Sequence, residues 1–179
     1  MRKLRNDELE RLSPEGIKEA TKHPVVIVLD NIRSMHNVGS AFRTADAFLC
    51  EKIVLCGITA QPPHREIHRS ALGATDTVAW QYFENTTEAL NALKSDGYLI
   101  ASVEQADAST SLEQFHLNEN EKIALVFGNE VKGVDDQVVA ASDVVIEIPQ
   151  FGTKHSLNIS VAIGIVLWEL ISKWKFTSR

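Results

Sequence analysis

The chain has only two cysteines, two methionines and five prolines in 179 residues, and no apolar run long enough to cross a bilayer. Cys50 and Cys56 lack the paired spacing of a zinc site, and Cys56 ends an apolar run. Both therefore read as small core residues of a protein kept in a reducing compartment. The opening MRKLRNDELERLS has no apolar segment, so no secretory signal is expected. The apolar C-terminal stretch is short and broken by Glu169, which argues against a membrane span and leaves a cytoplasmic location as the expectation. Neither G-x-G-x-x-G nor G-x-x-x-x-G-K-[ST] occurs, so any nucleotide-like cofactor must be held in another way. No metal site is implied. A net charge of −6 argues against a sequence-blind polyanion binder that works by bulk attraction.

What is present is globular: 44% hydrophobic and 23% charged residues, enough chain for one ordinary domain with a real core. Residues 6–21 read as one or two short polar helices split near Pro14 and Gly16. They form an N-terminal extension over 1–23, ahead of a domain at 24–179. Val25 to Asp30 is a continuous apolar run ending in an acid, as in a strand buried on both faces. NIRSMHNVGS is expected as a loop and Ala41–Leu49 as a helix. Five further strands are expected, in KIVLCGI, VAWQYF, YLIASVE, IALVFG and VVIEI. Helices should intervene, one capped by Thr86 or Thr87, one over Val134–Ala141, and a last over Ser156–Trp174. Alternating strands and helices predict an α/β fold: a single domain with a mainly parallel six-stranded sheet and helices on both faces.

In such sheets ligands gather beyond the carboxyl ends of the strands, and three loops placed there carry unusual chemistry. The first is NVGSAFR. Asn37 could cap a helix, and Arg43 sits in an otherwise apolar helical sequence, where it needs a carboxylate, a phosphate or a developing anion. The second is Gly128-Asn129-Glu130, directly after a strand. The third, IPQFGTKHSLNISVA, turns at Pro149, loosens at Gly152 and carries Thr153, Lys154, His155, Ser156 and Asn158 into an apolar helix. Ser156 alone would serve as an N-cap there, but about five polar side chains exceed what a cap and a turn need.

Together, NVGSAFRTADAF, LVFGNEVKG and IPQFGTKHSLNISVA resemble the three motifs of the SpoU (TrmH-type) RNA methyltransferases of the SPOUT class, in order and spacing. The resemblance implies methyl transfer from S-adenosylmethionine to a ribose 2′-hydroxyl of structured RNA (tRNA or rRNA), a C-terminal trefoil knot and a homodimer. Matched position by position, Arg43 resembles the arginine that engages the hydroxyl and Asn37 the asparagine that positions it. Glu130 is similar to the glutamate that shapes the site, and Ser156 and Asn158 to the residues where cofactor and substrate meet. Backbone near Gly128, Ile148 and Leu157, with Asn129 and Gly152 beside it, would hold the adenosine. A guanidinium surrenders its proton only at very high pH, so Arg43 is expected as a fixed cation rather than a base. Two other readings stand beside this one. One is an RNA-binding module that keeps the fold without methylating. The other is a base methyltransferase using a carboxylate such as Asp30 or Glu130. A basic group at His64, Arg65, His68 and Arg69 is a candidate RNA contact or a solvated helix face.

Overall fold

The computed structural model describes residues 1–9 and 11–176. Residues 10 and 177–179, which the sequence assigns to the extension and to the domain, lie outside the described residues. Ahead of the sheet lie a 3-10 turn at Asn6–Glu8 and a helix, α1 (Pro14–Glu19), whose first turn is capped by the Ser13 hydroxyl. The domain then runs β1 (His23–Asp30), α2 (Met35–Ala47), β2 (Cys50–Cys56), α3 (Arg65–Ala71), β3 (Ala79–Phe83), α4 (Thr86–Ser95) and β4 (Leu99–Val103). It continues through β5 (Thr110–Ser111), β6 (Ile123–Phe127), α5 (Asp136–Ala141), β7 (Val144–Glu147) and α6 (Ile159–Phe176).

Every strand pairing is parallel, in the order β3-β2-β1-β6-β4-β7-β5. The sheet has seven strands rather than six. The added one, β5, is two residues long and pairs only with Ile146 and Glu147 at the edge, too short to leave a periodic signal. The trefoil knot implied by the resemblance is not shown by this strand order.

The unbroken apolar run of β1 is explained by its two faces. Val25, Ile27 and Leu29 enter one core with α2, α3 and α6, while Val26 and Val28 enter another beneath α4 and α5. Gly39 permits the close crossing of α2 and α3. A Cβ there would lie 2.4 Å from the Ile67 carbonyl oxygen.

Helix starts depart from expectation in a consistent way. Ser34, not Asn37, caps α2, so most of the predicted NIRSMHNVGS loop is helix and Asn37 lies in its first turn. Asn85 caps α4 and Asp135 caps α5. Asn158, not Ser156, caps α6, through bonds from the Ser160 N–H and hydroxyl at 2.9 and 2.6 Å. Several polar residues compete for each cap, and tertiary contacts choose among them. Thr86 is withdrawn from capping because its hydroxyl donates to Asp30, which is 1% exposed, at 2.6 Å. The other Asp30 oxygen accepts the Asp135 N–H at 3.2 Å. That carboxylate ties the end of β1 to the starts of α4 and α5. Both of its oxygens are engaged in holding these elements together.

Candidate functional site

The second loop is shaped by two glycines. After β6 the chain turns back on itself, and Asn129 and Gly133 form a small antiparallel bridge with bonds of 2.9 and 2.8 Å. Gly133 has a φ of +73°, a left-handed conformation that suits glycine. Asn129 locks the turn further. Its Oδ1 accepts the Val131 and Lys132 N–H groups, and its amide donates to the Asn31 carbonyl at 2.7 Å.

This turn presents Glu130 to the start of α2. One carboxylate oxygen accepts the Arg33 N–H at 3.0 Å, and the other accepts the Ser34 N–H and the Asn37 amide at 3.0 Å each. A carboxylate at a helix start meets unpaired N–H groups and the positive end of the helix dipole. Burial pushes the Glu130 pKa up, but the bonds from Arg33, Asn37, its own backbone and Ser34 outweigh it, and the net shift is downward from 4.5. A lowered carboxylate pKa contributes stability above the ordinary value, and that contribution is lost as pH falls through the native one. Glu130 therefore stays ionised at neutral pH and is a poor proton acceptor.

Asn37 completes the link. Its Oδ1 accepts the Asn158 amide at 3.3 Å, so Glu130, Asn37 and Asn158 form one chain joining all three loops. At 9% exposure, with both ends of its amide engaged, Asn37 positions the loops.

Beside this network lies a cavity of about 700 Å³ at the carboxyl ends of β4, β6 and β7. Gly128, Asn129, Glu130, Ile148, Ser156, Leu157 and Asn158, all singled out from sequence, line it. Gly152 does not, and a Cβ there would meet nothing within 4 Å, so neither a close approach nor a left-handed φ accounts for that glycine. Glu104, Gln105, Lys132 and Asp136 also line the cavity and were not anticipated. Glu104 accepts the Val134 N–H at 3.0 Å and the Gln105 N–H at 2.9 Å. The Gln105 amide donates to the His155 carbonyl at 2.7 Å, pinning the third loop. The available signal was positional, because SVEQ ends a strand on the ligand-binding edge.

Arg43 departs most from expectation. Rather than lying on a buried helix face, it is exposed on the outer stripe of α2 with His36 and Ala47. Among the described residues no hydrogen bond or ion pair reaches its guanidinium, so none joins it to Asn37, Glu130 or Asn158. It follows Asn37 by six positions, about 9 Å along the helix axis. Arg65, His68 and Arg69 are exposed on α3, which packs on α2, so the basic residues gather on adjoining helices.

A model described as the SpoU rRNA Methylase family matches residues 24–168. The 23S rRNA (guanosine-2′-O-)-methyltransferase RlmB of Neisseria meningitidis is 31% identical over 153 residues, 86% of this chain and 60% of that protein. The tRNA (guanosine(18)-2′-O)-methyltransferase of Borreliella burgdorferi is 30% identical over 154 residues, 86% of this chain and 69% of that one. The AdoMet-bound rRNA methyltransferase from Sinorhizobium meliloti superposes with a TM-score of 0.76 at 28% identity, over 89% of this chain and 60% of that one. This chain thus spans about three fifths of the length of the rRNA methyltransferases it matches. With a family model that covers the α/β domain almost end to end, the chain belongs to the SpoU rRNA methylase family.

Proposed function

We propose that the protein transfers a methyl group from S-adenosylmethionine to a ribose 2′-hydroxyl of structured RNA, tRNA or rRNA, in the cytoplasm. The observation that carries this reading is the Glu130–Asn37–Asn158 chain, which draws three distant loops to the edge of one cavity. The cavity suits the cofactor in size and charge. At about 700 Å³ it falls in the range of small-molecule sites. Glu104, Glu130 and Asp136 outnumber Lys132 along its wall, which favours a cationic ligand over a phosphate-bearing one. When bound, S-adenosylmethionine supplies an electrophilic methyl group on a sulfonium.

The chain's own residues do the rest by placement. Backbone at Gly128, Ile148 and Leu157 would hold the adenosine, with Asn129 fixing the turn and the Ser156 hydroxyl facing the meeting point with substrate. In-line displacement gains most from holding nucleophile and methyl in register, which is what the tied loops offer. The hydroxyl also needs stabilisation of the negative charge it develops. Glu130 and Asp30 are committed elsewhere, which speaks against a base methyltransferase that removes a ring proton with either. Arg43, exposed on α2 outside the cavity wall and unpaired among the described residues, is the residue proposed to supply positive charge to the alkoxide and an adjacent phosphate once RNA is bound.

The test is transfer of labelled methyl to RNA from a strain lacking the gene, followed by nuclease digestion to nucleosides. Label on ribose is expected. Label on a base, or cofactor binding without transfer, would reject the reading, the latter in favour of an RNA-binding module.

The working form is proposed to be a homodimer. One stripe of α6 is buried in the core, but Val161, Ile165, Trp168 (57% exposed) and Phe176 leave an apolar opposite stripe. Light scattering at micromolar concentration should give twice the 19.9 kDa chain mass, and Trp168→Asp should halve it. A wild-type monomer would refute the dimer.

A further inference from the structure

The third loop carries more than its share of the cavity. Gln150 and His155–Asn158 line the cavity wall, and the residues between them are exposed. Phe151 there is 98% exposed, and among the large hydrophobic residues described only Met1 is more so. Its ring stacks on no other aromatic ring among the described residues. Thr153, Lys154 and His155 beside it are exposed as well, and no acidic residue occurs between Glu147 and Glu169. The loop is nonetheless held at its base, by the Gln105 bond to the His155 carbonyl and by Asn158 in the network.

An aromatic ring with open faces, on a tethered loop that carries Lys154 and no carboxylate of its own, has the chemistry of a stacking platform for single-stranded nucleic acid. A single ring on a polar loop is not the broad apolar patch of a protein–protein contact. We infer that Phe151 stacks on an unpaired base next to the target nucleotide, with Lys154 and His155 on the adjoining phosphates. This inference rests on the RNA methyltransferase reading and deepens it. In a duplex both faces of a base are covered by its neighbours, so the platform selects RNA in which the base beside the methylated ribose is unpaired.

The probe is a short single-stranded RNA carrying 2-aminopurine, compared with the same sequence as a duplex. On the wild-type protein the single strand is expected to quench on binding, and Phe151→Ala to weaken that binding roughly tenfold or more. Phe151→Trp is expected to restore both, and duplex affinity to stay level across the three proteins. S-adenosylmethionine affinity, measured by calorimetry, is expected to be the same in all. Unchanged single-strand affinity in Phe151→Ala would overturn the inference, and so would a change in solution mass, which would assign the ring to a contact between copies. Lost cofactor affinity in that variant would overturn it too, by placing the ring in the cofactor site. Wild-type protein that binds the RNA but not the cofactor would refute methyl transfer and leave the stacking result standing.

Discussion

Arg43→Lys is expected to lose roughly a hundredfold in single-turnover methyl transfer, about 2.7 kcal/mol of transition-state stabilisation, while cofactor affinity stays within twofold. The asymmetry follows from where the side chain stands. It is not among the residues that line the cavity, so nothing predicts a change in cofactor binding. Neither does the fold depend on it, because no hydrogen bond or ion pair reaches it among the described residues. A surface substitution of this kind should move Tm by no more than about 2 °C. What lysine cannot supply is the planar fork that meets two oxygens at once. Arg43→Ala should be worse still. The pattern separates a charge that acts on the reacting oxygen from one that merely helps RNA dock. A docking cation replaced by lysine would retain its attraction, and the loss would disappear at saturating RNA. Turnover near wild type in Arg43→Lys at saturating RNA and cofactor would refute the assignment.

The architecture was legible because it is written in patterns that packing enforces. Six apolar runs separated by helical stretches gave a parallel sheet, and the both-faces burial of β1 is what an unbroken Val25–Leu29 run demands. The two-residue strand β5 leaves no mark in the sequence because two residues have no period. Helix starts were the weakest part. Ser34 and Asn37, Asn85 and Thr86, and Ser156 and Asn158 are all acceptable caps, and local propensity separates them only weakly. The choice was made at long range, by Asp30 taking Thr86 and by Glu130 holding the start of α2.

In the candidate site, the polar excess of the three loops was visible, but its purpose was not. Part of that excess serves as glue. Asn37 and Asn158 bind loops to one another, Asn129 builds a turn, and Glu130 holds the start of α2. The apolar neighbours of Arg43 in the sequence imply a buried helix face, yet Val38, Ala41, Phe42 and Ala45 occupy the other side of that helix. Glu104 and Gln105 carry no motif, and only their position at the end of β4 marks them.

Gly128 and Gly152 looked equivalent as letters in cofactor loops, and the structure gives them opposite expectations. A Cβ on Gly128 would fall 2.1 Å from the Gly133 carbonyl carbon and from the Val134 nitrogen, both backbone atoms that no rotamer change can move aside. Gly128→Ala must therefore open the Asn129–Gly133 bridge. That displaces Glu130 from the start of α2 and draws the Val134 N–H away from Glu104, so the cavity wall shifts on two sides. Overpacking of this kind costs roughly 1–3 kcal/mol, a fall in Tm of roughly 3 to 10 °C for a domain of this size. S-adenosylmethionine affinity should fall at least about tenfold, since the moved backbone is the surface proposed to hold the adenosine. Gly152→Ala has open space around it and no left-handed φ, so both quantities should stay at wild-type values. Calorimetric titration and thermal melts on the two variants decide the matter together. Intact cofactor affinity in Gly128→Ala beside lost affinity in Gly152→Ala would move the cofactor from the β6 turn to the tip of the third loop.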